Sequence, residues 1–205
     1  MKVAIIDYGM GNIYSIQSAL SFIGVESEYT NIKENIFKSD RIILPGVGSF
    51  RKAMQQIQFL ELDRIIKEAV YERNIPVLGI CLGMQLLGNS STEDGYTEGL
   101  GIFNGIVTKF NFEDPGIKVP HVGFNCVNNP SDSVLYKDIS ENSDFYFVHS
   151  YKMSSTETSG IGYCNYVMNF VASFEQRRVF GTQFHPEKSQ TNGLRLLKNF
   201  IDLAR

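Results

Sequence analysis

Three stretches of the chain hold residue types at spacings that could do chemistry. The first is Gly79-Ile80-Cys81-Leu82-Gly83, set between an apolar run that ends at Ile80 and a helical pattern that begins with Met84, Leu86 and Leu87. A strand–Gly-x-Cys-x-Gly–helix unit has the form of a nucleophile elbow, with cysteine in place of serine. Such a turn holds its nucleophile in a strained conformation at the carboxyl end of a sheet. The flanking glycines remove side chains that would collide there. The N–H of Leu82 faces the same space and can bind an oxyanion. The start of the following helix favours a thiolate. The plain alternative is a buried cysteine in a glycine-rich turn.

A nucleophilic thiol needs a base, and the base needs an orienting group. The chain has three histidines, His121, His149 and His185. His185 lies in Gly181-Thr182-Gln183-Phe184-His185-Pro186-Glu187, at the end of an apolar strand pattern. Pro186 stops the strand and turns the chain, so Glu187 can fold back onto the imidazole. His121 and His149 sit inside strand-like segments with no carboxylate so close, which makes His185 and Glu187 the better base and orienter. The third stretch, Leu44-Pro45-Gly46-Val47-Gly48-Ser49-Phe50, follows a strand and precedes a helix. It should lie at the same sheet edge as Cys81, and its glycines let a peptide plane present an N–H to an oxyanion. It matches neither the phosphate-loop nor the dinucleotide fingerprint.

The elements that would position these residues alternate. Val3 to Ile6, Val25 to Tyr29, Ile42 to Leu44 and Pro76 to Ile80 read as short strands. Ile13, Ile16, Leu20 and Ile23, and then Leu62, Ile65, Ile66, Ala69 and Val70, recur at helical spacing. That alternation predicts a parallel sheet covered on both faces. The second half predicts strands at Ile106 to Phe110, His121 to Val127, Phe145 to Tyr151, Gly160 to Tyr166, Phe170 to Phe174 and Val179 to Phe184. A closing helix carries Leu194, Leu197, Phe200, Ile201 and Ala204 on one face. The reading is one α/β domain over residues 1–205, with an antiparallel-rich second half.

Composition narrows the class. A chain of 205 residues with 43% hydrophobic and 20% charged residues and a net charge of −3 is an ordinary globular mix. It gives no reason to expect nucleic acid or a membrane surface as partner. The N-terminal run is too short for a signal peptide, so the cytoplasm is the expected compartment. The three cysteines, Cys81, Cys126 and Cys164, form no disulfide framework and no zinc spacing. Cys126 and Cys164 read as packing.

Taken together, the elbow Gly-Ile-Cys-Leu-Gly-Met-Gln, the strand-end His-Pro-Glu and the loop Pro-Gly-Val-Gly resemble the class I (triad) glutamine amidotransferases. Asp-Tyr-Gly-Met-Gly-Asn (7–12), Pro-His-Val-Gly-Phe-Asn (120–125), Tyr-Phe-Val-His-Ser-Tyr (146–151) and Gln-Phe-His-Pro-Glu-Lys-Ser (183–189) resemble one branch, the glutaminase subunits of imidazole glycerol phosphate synthase in histidine biosynthesis. The resemblance implies a flavodoxin-like three-layer fold with a mostly parallel central sheet and an antiparallel extension. It implies that Cys81 attacks the side-chain amide of glutamine, His185 transfers protons and Glu187 orients it. Backbone N–H groups at Gly46 or Val47 and at Leu82 would hold the oxyanion. Gly48, Gln85, Glu93, Ser150 and Tyr151 fall where the family holds glutamine, and Glu93 is suited to its ammonium. No metal or organic cofactor is implied. The implied partner is a separate (β/α)8-barrel cyclase, met by Asn12, Phe124, Tyr146 and Lys188. Reorientation of the Pro-Gly-Val-Gly loop is the implied switch. Phe124 departs from the pattern, because the family carries tryptophan there. That departure leaves a second reading open: a paralogue supplying ammonia to an amidotransferase of surface sugars.

Overall fold

Short apolar strands and amphipathic helices alternate through the first half of the chain. β1 (Lys2–Ile6), β2 (Glu26–Thr30), β3 (Arg41–Leu44) and β4 (Val77–Ile80) are separated by α1 (Ile13–Phe22), α2 (Lys33–Phe37), α3 (Phe50–Phe59) and α4 (Leu62–Tyr71). α5 (Leu82–Leu86) follows β4 with a single residue between them. A computed structural model of the chain describes residues 1–114 and 116–203. The second half is strand-rich. It runs through β5 (Ser90–Ser91), β6 (Thr97–Glu98), β7 (Gly105–Lys109), β8 (His121–Asn128), β9 (Ser143–His149), β10 (Tyr151–Ser155), β11 (Ile161–Tyr166), β12 (Met168–Gln176) and β13 (Val179–Thr182). A 3₁₀ turn at Pro186–Lys188 leads into α6 (Gln190–Ile201).

The strands form one sheet with the order β2-β1-β3-β4-β13-β12-β10-β7-β5-β6. From β2 to β13 every pairing is parallel. β12 then pairs antiparallel with β13, and β10 with β12 and β7. β11 leaves the path by pairing with β12, and β8 and β9 are added beyond it, all antiparallel. The expected α/β architecture is therefore present, with a parallel centre and an antiparallel extension.

Burial on both faces explains the apolar runs of the parallel strands. Along β1, Ala4 and Ile6 pack with Phe50, Ile57 and Ile66 of α3 and α4. Val3 and Ile5 pack on the other face with Ile16 and Leu20 of α1 and Leu197 and Phe200 of α6. The helices show the matching stripes. α3 buries Phe50, Ala53, Met54 and Ile57, and α4 buries Leu62, Ile66, Ala69 and Val70, both at helical spacing. Ser49 caps α3 by accepting from the Lys52 N–H. Arg41, buried at the start of β3, donates from Nε to the Phe200 carbonyl at 3.2 Å and from its guanidinium to the Leu203 carbonyl. It thereby satisfies carbonyls at the end of α6.

The structure departs from the sequence reading at several places. Phe145 to Tyr151 is not one strand. β9 ends at His149 and β10 begins at Tyr151, because the chain changes neighbours at Ser150: β9 pairs with β8, and β10 with β7 and β12. β13 stops at Thr182 rather than Phe184. α2 buries only Ile36, so it left no periodic signal. Ala204 lies outside the described residues. No helix among the described residues is long and apolar enough to cross a membrane.

The elbow is the tightest point of this packing. A Cβ on Gly79 would lie 2.7 Å from the backbone of Gly83 and Met84, and one on Gly83 would collide with the Leu44 carbonyl. Neither neighbour is a flexible side-chain end, so β3, β4 and α5 must separate to admit a methyl group. Gly83→Ala should cost about 3 kcal/mol or more of unfolding free energy. Equilibrium urea unfolding would read it as a lower midpoint at unchanged slope, and an unshifted midpoint would contradict the close approach.

Candidate active site

The carboxyl ends of β3, β4 and β13 bring the three sequence stretches to one cleft of about 580 Å³, lined by Val47, Gly48, Cys81, Leu82, Gln85, Glu93, Ser150, Tyr151 and His185, among others. Cys81 sits in the single residue between β4 and α5 with φ 55° and ψ −111°, a conformation that costs a non-glycine residue on the order of 1–3 kcal/mol. Its N–H donates to the Thr182 carbonyl at 2.7 Å, so the adjacent end of β13 helps hold the turn. Its side chain points into the cleft, where the residue is 7% exposed.

His185 and Glu187 come from the chain just beyond β13. The 3₁₀ turn started by Pro186 folds Glu187 back, and its Oε1 accepts from His185 Nδ1 at 2.8 Å. The two side chains are 3% and 1% exposed. Nδ1 carries the proton in that bond, which leaves Nε2 as the reactive end. Nε2 is buried and has no hydrogen-bond partner of its own, as suits a group that passes a proton to a bound molecule. Burial pushes the His185 pKa down, but its interactions with Cys81 and then Glu187 outweigh burial and lift it to about 10. The imidazole therefore holds its proton through neutral pH, opposite a sulfur that can attack.

The Pro45–Ser49 loop covers the elbow. Tyr8 Oη donates to the Pro45 carbonyl at 2.6 Å. A Cβ on Gly46 would lie 2.5 Å from that hydroxyl and 2.9 Å from Leu82 Cβ, so the first half of the loop is packed onto the turn. The second half is open: Val47 is 42% exposed and Gly48 has φ +100°. Across the cleft, Glu93 Oε2 accepts from the Phe50 N–H at 2.7 Å, and Ser49 Oγ donates to Asp94 at 3.2 Å. Burial raises the Glu93 pKa, against the Phe50 N–H and together with Asp94.

Gln85, on α5, donates from Nε2 to the Tyr151 carbonyl at 3.1 Å and to Gln183 Oε1 at 2.8 Å. Both of its N–H groups are thus used within the protein, and Oε1 is its end left for a ligand. Tyr151 and Ser150 stand where the chain crosses from β9 to β10. Sequence reasoning missed Gln183, Tyr8 and His149 here. Strand alternation did hold a signal for Gln183, two residues before His185. Tyr8 and His149 become visible only through pairings distant in sequence.

His149 lines the cleft beside Ser150 and is paired with the third histidine. His121 and His149 face each other in the β8–β9 register, with His121 Nδ1 3.1 Å from His149 Nε2. Burial pushes both pKa values down, to about 4 for His121 and about 3 for His149. Both rings are therefore neutral at pH 7, and the hydrogen bonds fix their tautomers. His149 Nδ1 lies 2.8 Å from the Tyr151 carbonyl, which can only accept, so Nδ1 donates and Nε2 accepts from His121. His121 Nε2 must then accept, and Asn125 Nδ2 lies 3.2 Å from it.

The residues assigned to a partner face lie outside the cleft. Phe124 is 50% exposed. Its ring meets Tyr146 edge-on with centroids 5.5 Å apart, and Lys188 Nζ lies 5.9 Å from the Tyr146 ring centre. Val122 and Val148 pair across the same outer face of β8 and β9 and are also exposed, Val148 reaching the rim of the cleft as well. Asn12 stands just before α1, which packs against the Pro186–Lys188 turn. Cys164 is buried in the core, as expected. Cys126 is not: it is half-buried, and its thiol donates to the Asn142 carbonyl at 2.8 Å, because it lies on the outward side of β8.

Comparison with known proteins agrees with this geometry. Residues 4–203 match the family described as glutamine amidotransferase class-I. Similar chains are the imidazole glycerol phosphate synthase subunit HisH 1 of Parasynechococcus marenigrum, 46% identical over 99% of this chain and 98% of that one, and the subunit HisH of Methanosarcina acetivorans, 43% identical over 99% of each. Among solved structures, a glutamine amidotransferase superposes with TM-score 0.71 at 18% identity, covering 98% of this chain and 97% of that one. The structure of PurLQS from Thermotoga maritima also gives 0.71, at 16% identity and with the same coverage of both chains. These two show the shared fold.

His185 supplies a direct test of the site's electrostatics. Its pKa is about 10 in the folded chain against an ordinary 6.5. The stability it contributes is complete below pH 6.5 and is lost as pH rises through about 10. The His185 Cε1–H resonance should titrate near the upper value. In Cys81→Ala the midpoint should fall, since the first of the two raising interactions is gone. An unmoved midpoint would show that the sulfur does not hold the proton on the ring.

Proposed function

The chain belongs to the class-I glutamine amidotransferases, and from that premise we propose that it is a single-domain glutaminase supplying ammonia to imidazole glycerol phosphate synthase. The observation that carries the reading is a buried cysteine at positive φ sharing a cleft with a histidine whose far nitrogen is bonded to a buried carboxylate. Cys81 Sγ attacks the side-chain amide carbon of glutamine, and the carbonyl π electrons move onto oxygen. The N–H groups of Leu82 and of Val47 (or Gly46) hold that oxyanion. The C–N bond breaks, His185 gives its proton to the departing nitrogen, and ammonia leaves a γ-glutamyl thioester. Water, deprotonated by His185, cleaves the thioester to glutamate and restores the thiolate–imidazolium pair. Glu187 holds the ring throughout. Glutamine and water become glutamate and ammonia, with no cofactor.

Glu93 is the acceptor for the substrate ammonium, with Oε1 open while Oε2 is held by Phe50 N–H. Gly48, Gln85, Ser150 and Tyr151 bind the rest of the substrate. The relatives are named as subunits, which supports a partner chain. We read that partner as a separate (β/α)8-barrel cyclase in the cytoplasm, docked on Asn12, Phe124, Tyr146 and Lys188. The exposed row of Val122, Val148 and Phe124 supports this face. Phe124, in place of the family's tryptophan, is what favours the second reading, a sugar amidotransferase as recipient.

The deciding experiment measures glutamate release by the pure chain, alone and with the barrel cyclase of the same source plus its ribonucleotide substrate. Stimulation of about 100-fold or more, abolished in Cys81→Ala, is the expected result. No stimulation, with Cys81 still alkylated by a chloroketone analogue of glutamine, would move the recipient to a sugar pathway. No alkylation with the partner present would end the glutaminase reading.

A further inference from the structure

Gln183 is fully buried and has no part in the triad, yet it reaches the nucleophile. Its Nε2 lies 3.7 Å from Cys81 Sγ, within hydrogen-bonding range for sulfur. We infer that Gln183 is a further catalytic residue of the proposed glutaminase: its amide N–H donates to Cys81 Sγ and steadies the negative charge that sulfur carries before attack. The role in catalysis rests on the glutaminase reading; the contact to sulfur does not.

The orientation of this amide follows from its neighbours. The Tyr151 carbonyl can only accept. Gln85 must therefore turn Nε2 toward it, and the same Nε2 donates to Gln183 Oε1. With Oε1 committed to Gln85, the Gln183 amide can present only N–H to the sulfur. A flip of Gln85 would set its oxygen against the Tyr151 and Gln183 oxygens, and a flip of Gln183 would set two NH2 groups against each other; in a buried site either costs more than the bond is worth. The Tyr151 carbonyl is itself held from the other side by His149 Nδ1, at the end of the Asn125–His121–His149 chain. A one-way series of donors thus fixes the carbonyl, the carbonyl fixes Gln85, and Gln85 fixes Gln183.

The triad alone does not supply this contact. Among the described residues lining the cleft His185 is the one cation beside the sulfur, and its proton must leave for the departing nitrogen. A neutral donor stays when that proton goes, so Gln183 stabilises sulfur in the states where His185 is neutral. The titratable groups around Cys81 are His185 and, behind it, Glu187 after β13, Tyr8 after β1, His149 on β9, and Glu93 and Tyr151 on the cleft wall. None of these is altered by changing Gln183 to methionine, which keeps the length and removes the donor.

The test is the pH dependence of thiolate absorbance at 240 nm in the full chain, with Cys81→Ser as the blank. In Gln183→Met the acid-side midpoint should move up by about one pH unit, the effect of losing one hydrogen bond to a charged group. A role in packing alone would lower thermal stability without moving that midpoint, and an unmoved midpoint in folded Gln183→Met overturns the inference. In glutamate release, kcat should fall about tenfold with KM little changed. Should the variant fail to fold, the Gln183 side-chain amide protons of the wild-type chain decide by NMR. They should shift along the 240-nm curve, and shifts independent of it overturn the inference. A wild-type chain that the chloroketone analogue never labels would overturn the glutaminase reading instead, and the absorbance midpoint would still judge the contact.

Discussion

Everything in the site depends on a backbone held where a side chain does not want to be. Cys81 at positive φ is strained, and the strain persists because three strands and a helix leave the turn no other course. β4 is locked between β3 and β13 in parallel register. The Cys81 N–H is tied to the end of β13, and Gly83 lies against the Leu44 carbonyl at the end of β3. Relaxing the turn would break pairings in the most buried part of the sheet. The same closeness sets the Pro45–Ser49 loop directly over the elbow, so one packing event fixes both the Cys81 turn and the first half of that loop.

The three histidines show how surroundings, not residue type, assign charge. All are buried. His185 meets a carboxylate and a thiol, and keeps its proton well above neutrality. His121 and His149 meet each other and a carbonyl, and stay neutral far into the acid range. One holds its proton beside the thiol in the cleft. The other two use their uncharged tautomers as rigid, directional hydrogen-bond spacers, at the cost of folded-state stability as pH falls below the ordinary imidazole value.

Much of this was readable from local sequence. Gly-Ile-Cys-Leu-Gly marks the turn because only glycines admit the close backbone approach at Gly79 and Gly83. His-Pro-Glu marks the hydrogen-bonded His185–Glu187 pair because proline forces the chain to fold back over two residues. The stripes of α1 and α4 and the doubly buried strands follow from periodicity alone. Most of the misses share one cause. The break at Ser150 arises because β9 and β10 pair with different strands, and the His121–His149 pair and the reach of Gln183 to Cys81 join residues 28 and 102 apart in sequence, so no short window along the chain contains both partners. α2 and the half-exposed Cys126 were lost for a different reason: each turns on which side of a short element faces outward.

The β8–β9 hairpin carries a consequence for how this chain can vary. Inward it presents His121 opposite His149, and outward Val122 opposite Val148 and Phe124 opposite Tyr146. Because successive residues alternate faces, the two roles are bound by parity. Inserting or removing one residue within either strand would send valines inward and imidazoles to the outer face, wrecking both surfaces at once. The hairpin can therefore be redecorated on its outside to suit a different neighbour while its inside stays in step with Cys81.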